Sequence, residues 1–294
     1  MTRDLAGSEC QTRLALETRK QVLVTVIIPT YNSGRTVESC IRSVLDQSIA
    51  PTQVLVIDRY SSDATPTIAT RLGVELVQGD YNASVARQVG LARSTGKFVL
   101  AVDSDMILQR GVLKDCLRLA SIGFDPIAVP EVSIGSNFWA RCLSFMKNTS
   151  STFEIPGLDF IPRWYSIDTL QRAGGWDPNI FASEDQDLYF RVASQVGSRM
   201  RVGITESCVF HDEGDVSLAE QFRKMRSPFY GGTVRQFESR YPHFRRQALK
   251  RTAVRYLRNW RVYTRHPCLT TGGALVTLTR RLGFEAGRLA SSPG

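Results

Sequence analysis

The stretch Phe98-Val99-Leu100-Ala101-Val102-Asp103-Ser104-Asp105 is an apolar run that ends in two aspartates one residue apart. The apolar part predicts a buried strand, and open α/β sheets bind their ligands at the carboxyl ends of strands. Two carboxylates at such an end suit a hard divalent cation such as Mg²⁺. Because the triplet alone also fits a strand followed by an ordinary polar turn, its meaning depends on the rest of the chain.

Three similar units precede this stretch, each a strand followed by a polar loop and a helix. The predicted strands are residues 22–28, 53–57, 74–77 and, in the opening stretch, 98–102. Helical patterns follow the first three and end near residues 45, 72 and 93. Strands that alternate with helices of this length predict a parallel sheet built from right-handed crossover units.

The loops that follow these strands should meet at one edge of the sheet. We therefore expect residues 29–32, Asp58, residues 82–87 and the two aspartates to line one crevice, which fits a nucleotide. The first strand is followed by no G-x-G-x-x-G motif, and the chain has no G-x-x-x-x-G-K-[ST] motif. These absences disfavour a dinucleotide-binding dehydrogenase and a P-loop kinase.

Composition indicates an ordinary globular protein. The chain has 294 residues, of which 43% are hydrophobic and 22% charged. No segment reaches the roughly 18 to 20 apolar residues of a membrane span, and residues 1–20 contain no apolar stretch of signal-peptide type. The six cysteines form no C-x-x-C pair, which argues against a zinc site or a disulfide framework. We expect a cytoplasmic protein.

Positive charge is concentrated at the C-terminal end. The formal net charge is +9, and from Ala219 onward there are 16 Lys or Arg against three acidic residues. This asymmetry indicates a polyanionic partner, either an acidic membrane surface or a nucleic acid, unless the basic face is merely solvated.

Residues 245–265 predict an amphipathic helix that His266-Pro267 ends. Its apolar stripe consists of Leu249, Ala253, Leu257 and Trp260. Cationic amphipathic helices that carry Trp lie in membrane interfaces and prefer anionic lipid. Packing of the stripe on the rest of the protein is the alternative.

Several segments in order resemble the family 2 glycosyltransferases. They are residues 24–32, 43–48, 54–58, 61–65, 86–90, 103–105, 174–177 and 183–188, so the resemblance covers roughly residues 22–212. Residues 212–218 look like the continuation in a subset of the family that acts on polyprenyl-linked glycans. The resemblance implies a nucleoside-diphosphate sugar donor and, most often, an inverting transfer assisted by Mg²⁺ or Mn²⁺.

The resemblance also implies the architecture. The fold class is α/β, with a GT-A nucleotide-sugar-binding domain whose mixed, mostly parallel sheet is flanked by helices. This domain is expected over residues 21–242. An N-terminal extension, residues 1–20, precedes it, and a basic helical appendage, residues 243–294, follows it.

The resemblance assigns residues to the donor nucleoside. It places Pro29, Thr30 and Asn32 around the nucleoside, and Asp58 accepts hydrogen bonds from the base. The chain departs from the family at the next two positions, where Arg59 and Tyr60 stand in place of the usual Asp and Gly. The base contact and the preferred nucleotide therefore stay open.

The opening aspartates match the metal and ribose pair of the family. Asp105 is then the direct metal ligand, and Asp103 lies nearer the ribose or a metal-bound water. His211 falls where many GT-A enzymes have a third metal ligand, although a single histidine is more often an ordinary side chain.

Three arginines are candidate phosphate contacts. The resemblance makes Arg87 a candidate for the donor diphosphate, and Arg163 lies in an aperiodic region that suits an acceptor-binding loop. Arg223 belongs to a basic cluster ahead of Gly231-Gly232, which predicts a mobile cationic loop that closes over the diphosphate. Ordinary surface helices are the alternative for Arg87 and Arg223.

The segment Ser183-Glu184-Asp185-Gln186 reads as a capping box that opens a helix. In that reading, Glu184 and Asp185 only stabilise the helix dipole. In the family, Asp185 matches the base that deprotonates the acceptor hydroxyl, and Glu184 is its catalytic neighbour. If the acceptor is itself a phosphate, Asp185 would act more by its position and charge.

These observations favour a metal-dependent, inverting glycosyltransferase, peripheral on the inner face of the cell membrane, with a polyprenyl phosphate or lipid-linked glycan as acceptor. A soluble transferase with a small acceptor is one alternative. A basic nucleic-acid-binding protein is another, although no recognised binding motif supports it.

Overall fold

A computed structural model describes residues 24–150, 161–180, 182–197, 200–242, 254 and 257–290, without the side chains of 150, 229 and 290. The predicted N-terminal extension lies outside these residues, as does most of the helix predicted over 245–265. Leu249 and Ala253 of its apolar stripe therefore also lie outside the described part.

The first half of the chain forms four parallel strands. In chain order they are β1 (Val24–Thr30), β2 (Gln53–Asp58), β3 (Glu75–Gln78) and β4 (Phe98–Ala101). Their order in the sheet is β3-β2-β1-β4, and every pair among them is parallel. The connecting helices are α1 (Val37–Leu45), α2 (Thr65–Arg71) and α3 (Ala83–Arg93). The predicted crossover units are confirmed.

The second half extends this sheet and adds a small one. Its strands are β5 (Met106–Leu108), β6 (Ile127–Ala128), β7 (Glu131–Ile134), β8 (Pro162–Ser166), β9 (Gly203–Ile204) and β10 (Val209–Asp212). The large sheet continues from β4 through β8, β6 and β9, with β8 antiparallel to both neighbours. The small sheet has the order β5-β10-β7. The predicted mixed, mostly parallel sheet is thus confirmed.

Helices cover both faces of the large sheet. The remaining helices are α4 (Val112–Ser121), α5 (Phe138–Ser150), α6 (Ile167–Arg172), α7 (Glu184–Val196), α8 (Leu218–Arg226), α9 (Pro228–Arg240), α10 (Trp260–Arg265) and α11 (Pro267–Ala290). Alternate residues of β1 pack to opposite sides. Val26 and Ile28 join a core with Ile41 of α1, while Ile27 joins a second core with Leu188 of α7. Burial on both faces explains why β1 reads as one continuous apolar run.

The C-terminal region is a layer of helices. The sequence predicted a mobile loop with a glycine hinge at Gly231-Gly232, but both glycines lie inside α9. Helix α11 packs against α5 and α8, and Val276 is fully buried there. Among the helices that the structure describes, none has the length and apolar character needed to cross a bilayer.

A buried carboxylate joins α7 to the end of α9. Asp187 is fully buried and accepts hydrogen bonds from Arg191 Nε (2.8 Å), Arg240 Nη1 (2.8 Å) and Tyr241 Oη (3.0 Å). Arg240 also pairs with Asp177 at 2.9 Å. The C-terminal helices are therefore tied to the helix that carries Glu184 and Asp185.

We expect Asp187→Ala to lower the free energy of unfolding by about 3 to 5 kcal/mol, because it removes the buried counter-charge of Arg191 and one of the two carboxylates that pair with Arg240. Urea unfolding followed by circular dichroism measures this. The control is Asp168→Ala, which removes an exposed i,i+4 pair with Arg172 and should change stability far less. Equal effects of the two variants would show that the buried cluster does not hold the layers together.

Candidate active site

The predicted loops meet at one edge of the sheet. Ser33 in the loop after β1 lies 2.8 Å from Ser104, Oγ to Oγ. Arg87 of α3 donates to Asp103 Oδ1 at 2.6 Å. The loops after β1 and β4 and the first turns of α3 therefore lie together, as expected from the strand order.

A cavity of about 180 Å³ opens beside the ends of β1 and β2. Its lining includes Pro29, Thr30, Tyr31, Arg59, Tyr81 and Asn82. The predicted nucleoside residues Pro29 and Thr30 thus share a cavity with two tyrosine rings, which a base could stack against. Asn32 instead ties the two loops together, since its Oδ1 accepts a hydrogen bond from Ser62 N at 2.9 Å.

Asp58 does not present an open carboxylate to this cavity. It is fully buried, and its oxygens accept hydrogen bonds from Thr30 Oγ1 (3.0 Å), Ser61 N (2.9 Å) and Oγ (2.5 Å), and Gln78 Nε2 (3.0 Å). The sequence could not reveal these donors, because they come from three separate segments. Asp58 therefore holds together the loops that form the cavity. A base would have to displace one of these hydrogen-bond donors to reach the Asp58 carboxylate.

Arg87 has different partners from the diphosphate contact expected of it. Its side chain is only 3% exposed, and Nη1 donates to Glu184 Oε1 at 2.5 Å while Nη2 donates to Asp103 Oδ1. Asp185 Oδ2 lies 3.8 Å from Nη2. Arg87 therefore connects the two carboxylate pairs that the sequence singled out.

A second arginine holds the other oxygen of Asp103. Arg163 lies in β8, not in a loop, and donates to Asp103 Oδ2 and to Glu131 Oε2, each at 3.1 Å. Burial acts to raise the pKa of Asp103, but the charges of Arg163 and Arg87 hold it well below its ordinary value. Arg163 is thus engaged by carboxylates and is not the open phosphate contact that the sequence indicated.

Asp105 and His211 face each other across the small sheet. Strand β10 pairs with β5, which places His211 Nε2 3.4 Å from Asp105 Oδ2. The other imidazole nitrogen, Nδ1, lies 2.6 Å from Glu131 Oε1. Burial opposes protonation of His211, but its hydrogen bonds to Asp105 and Glu131 outweigh it and raise its pKa to about 10. Each imidazole nitrogen of His211 therefore faces a carboxylate oxygen.

The donor set fits a divalent cation. Asp105 Oδ1 is buried and has no hydrogen-bond partner in the described part of the chain. Glu131 orients His211 so that Nε2 faces Asp105, as outer carboxylates do at metal sites. A different group, Glu131, His211 and Glu213, also brings its ligand atoms within 4.8 Å of one another. Lys147 Nζ already pairs with Glu213 at 2.5 Å, which favours Asp105 and His211 as the ligands.

Asp185 is the second residue of α7 and is positioned by Trp176. Its Oδ1 accepts a hydrogen bond from Trp176 Nε1 at 3.0 Å, and Trp176 N donates to Gln88 Oε1 at 2.9 Å. Gly175 has φ +67°, and a Cβ there would overlap Gln88 Oε1. The sequence analysis missed Trp176 and Gln88, although both belong to motifs that it quoted.

The capping box predicted at Ser183 is wrong. Ser183 has φ +85°, a left-handed conformation, and its side chain makes no capping hydrogen bond. A capping side chain needs an extended backbone at this position.

Burial raises the pKa of Glu184 to about 7. A serine held at positive φ beside two partly buried carboxylates is more typical of a functional site than of a helix start.

Arg223 lies on the surface of α8. The neighbouring Lys224 Nζ lies 4.7 Å from the centre of the Tyr230 ring. Because α8 and α9 are regular helices, the mobile loop expected here is replaced by a helical pair, and the contact of Arg223 with a diphosphate stays a prediction.

Comparison with known families matches residues 25–165 to the model described as Glycosyl transferase family 2. The matched region contains β1 to β4, both opening aspartates, Arg87 and Arg163. This part of the chain is therefore similar to glycosyltransferase family 2 domains.

Individual relatives cover less of the molecule. The succinoglycan biosynthesis protein ExoO of Rhizobium meliloti is 30% identical over 185 residues, which are 59% of this chain and 52% of that protein. The UDP-Glc:alpha-D-GlcNAc-diphosphoundecaprenol beta-1,3-glucosyltransferase WfgD of Escherichia coli is 36% identical over 90 residues, 29% of this chain and 36% of that protein. The chain thus spans about half or less of these relatives.

The fold resembles solved structures over a larger share of the chain. The mannosyltransferase PcManGT of Pyrobaculum calidifontis, solved with GDP-Man and Mn²⁺, has a TM-score of 0.51 and 18% identity, covering 90% of this chain and 86% of that one. At this identity the likeness shows the fold alone. The α/β architecture is that of the GT-A glycosyltransferases.

Proposed function

We propose that this chain is a metal-dependent, inverting glycosyltransferase that moves a sugar from a nucleoside-diphosphate sugar to a polyprenyl phosphate or lipid-linked glycan. The observation that carries the proposal is a series of contacts among the candidate residues. Arg87 joins Asp103 to Glu184 and lies 3.8 Å from Asp185. Arg163 joins Asp103 to Glu131, which contacts His211. The family match over residues 25–165 supports the same reaction.

In this proposal the donor nucleoside occupies the cavity lined by Pro29, Thr30 and Tyr81. Asp105 and His211, with Asp103 beside them, would hold Mg²⁺ or Mn²⁺. When bound, the cation supplies positive charge that offsets the charge on the departing diphosphate. Arg87 and Arg163 keep Asp103 ionised and fixed, so the carboxylates are already in place before the donor binds.

Asp185 is the proposed general base. The acceptor oxygen attacks the anomeric carbon, the bond from that carbon to the diphosphate oxygen breaks with its electron pair, and Asp185 takes the acceptor proton. The hydrogen bond from Trp176 fixes one carboxylate oxygen and leaves Oδ2 for the proton. The guanidinium group of Arg87 lies 3.8 Å from this oxygen. A phosphate acceptor would need little deprotonation, and Asp185 would then orient it.

A lipid-linked acceptor is supported by two observations. The name of the Escherichia coli relative specifies a diphosphoundecaprenol-linked acceptor. The C-terminal helices also leave apolar side chains in solvent, and these are Leu257, Trp260, Leu275, Leu278, Leu282 and Leu289. On α11 these leucines lie opposite the face that packs on α8. The packing on that face is close, since a Cβ on Gly287 would come within 2.6 Å of the backbone oxygen of Arg226.

We propose that this outward face docks on anionic lipid at the inner face of the cell membrane. The 16 basic residues from Ala219 onward provide the complementary charge. Each Lys or Arg near such a surface contributes about 1 kcal/mol, so a few engaged arginines suffice for reversible binding. Leu278 and Leu282, which are 52% and 55% exposed, would enter the interface.

Substitution of both Leu278 and Leu282 by Glu should abolish co-sedimentation with phosphatidylglycerol vesicles, because it places two negative charges on the docking face. Wild-type binding should weaken as salt is added. The matched control is Leu45→Glu, at an exposed leucine of α1. Truncating the tail would be a poorer test, since Tyr263 and Val276 are buried. Vesicle binding by the double variant would contradict the docking face, and salt-sensitive RNA binding without vesicle binding would favour the nucleic-acid alternative.

The proposed function is tested by offering UDP-, GDP-, CDP- and ADP-sugars with Mn²⁺ and measuring thermal stabilisation and donor hydrolysis. We expect at least one nucleotide sugar to stabilise the protein and to be consumed. Transfer to a polyprenyl phosphate would then identify the acceptor class, whereas transfer only to small alcohols or sugars would favour the soluble alternative. If no nucleotide sugar binds, the proposed function is wrong.

A further inference from the structure

Arg59 lies at the nucleoside cavity, at a position where the chain departs from its family. Its backbone N donates to Thr30 O at 2.9 Å, so the residue is fixed to the end of β1. Its guanidinium carbon lies 5.6 Å from the centre of the Tyr31 ring, and Nε donates to Asp80 Oδ1 at 3.1 Å. A backbone bond, an aromatic face and a carboxylate together hold this side chain at the cavity.

The cavity offers a base few other charged groups. Arg59 is the charged residue in its described lining, and Asp58 beneath it is already bonded by Thr30, Ser61 and Gln78. The hydrogen bonds of the described residues engage only Nε of Arg59. Its two terminal nitrogens therefore remain as donors for a ligand in the cavity.

A guanidinium group can donate hydrogen bonds but cannot accept them. Uracil and guanine present a carbonyl oxygen at the ring position where cytosine and adenine present an amino group. Arginine pairs well with such a carbonyl edge, as it does with guanine in DNA, while an amino group would face it donor to donor. The chemistry of Arg59 therefore selects between bases of similar size.

We propose that Arg59 reads the carbonyl edge of the donor base, so that the enzyme accepts uridine or guanosine diphosphate sugars and rejects their cytidine and adenosine counterparts. This inference rests on the proposed function and names the substrate class of the same site. Asp80 and Tyr31 act as positioning residues, because they set the direction of the guanidinium group.

The test measures affinity for UDP, CDP, GDP and ADP in Mn²⁺ by calorimetry. UDP and CDP form one matched pair, and GDP and ADP form the other. In the wild type, one carbonyl-bearing nucleotide should bind at least about tenfold more tightly than its amino partner, as expected for a hydrogen bond to a charged donor. Arg59→Met keeps the apolar stem of the side chain. In this variant the ratio of the two affinities should fall to within about threefold, because the carbonyl-bearing nucleotide binds more weakly.

Arg118→Ala is the matched control, because it removes an exposed arginine of α4 that pairs with Glu206. It should leave all four affinities unchanged. A preference that survives in Arg59→Met would overturn the inference. So would an equal loss for all four nucleotides, which would mean that Arg59 contacts a phosphate.

The inference and the proposed function fail in different ways. If the wild type binds none of the four nucleotides, the proposed function is rejected and the inference with it. If the wild type binds them without distinguishing carbonyl from amino bases, only the role of Arg59 is rejected. Thermal unfolding of each variant confirms that the compared proteins are folded.

Discussion

Asp185→Asn is expected to lower turnover by about 10² to 10⁴, the usual effect of losing a general base, while nucleotide-sugar affinity stays near that of the wild type. The amide can still accept the hydrogen bond from Trp176 Nε1, so the geometry of α7 is preserved. What is lost is the oxygen that takes the acceptor proton. Steady-state kinetics and calorimetry with the donor separate these two effects.

Trp176→Phe is the companion variant. It keeps a buried aromatic ring but removes the donor to Asp185 together with part of the indole, so turnover should fall less than in Asp185→Asn. Near-normal turnover of Asp185→Asn with a hydroxyl acceptor would show that Asp185 is only an acidic residue at a helix start. The same result with a phosphate acceptor would mean that this acceptor needs no base.

Asp105→Ala should remove the part of donor affinity that depends on Mn²⁺ and leave the fold intact. The reason is that Asp105 Oδ1 has no partner within the described residues, and that His211, which faces Oδ2, keeps its contact with Glu131. The affinity for a nucleoside diphosphate, measured with and without Mn²⁺, gives the metal-dependent part directly.

Asp46→Ala, at an exposed aspartate after α1, is the control and should bind the donor normally. Unchanged Mn²⁺ dependence in Asp105→Ala would contradict the metal assignment. If Glu213→Ala removed the dependence instead, the cation would belong to the group formed by Glu131, His211 and Glu213.

The parallel half of the fold was predictable because its strands are buried on both faces and alternate with helices. Predicted and observed bounds differ by about two residues at β1, which runs over Val24–Thr30. The resemblance implied a mixed sheet, but the bounds of its short strands in the second half were not predicted. Strands such as β6 and β9 have two residues each, too few to show a period.

The candidate site was predicted in its residue types but not in its contacts. Sequence could place Arg87 on a helix near the crevice, but not bury it between Asp103 and Glu184, because those partners are 16 and 97 residues away. The same limit hid the donors around Asp58. The capping box failed because the backbone at Ser183 is left-handed, which no residue type at that position indicates.

The basic tail shows what patterning can and cannot decide. The sequence left open whether its apolar stripe meets the membrane or packs on the protein. The two described members of the stripe, Leu257 and Trp260, are exposed, whereas Tyr263, which lies outside the stripe, is buried against Phe145. A period of 3.6 residues identifies an apolar face, but not which neighbour covers it.

The most direct test of the central claim is an anomalous-difference map from crystals grown with Mn²⁺ and the nucleoside diphosphate that binds best. We predict one manganese peak between Asp105 and His211 and a base in the cavity beside Tyr31, Arg59 and Tyr81. A manganese peak at Glu213 away from Asp105, or a nucleotide bound outside this crevice, would contradict the account.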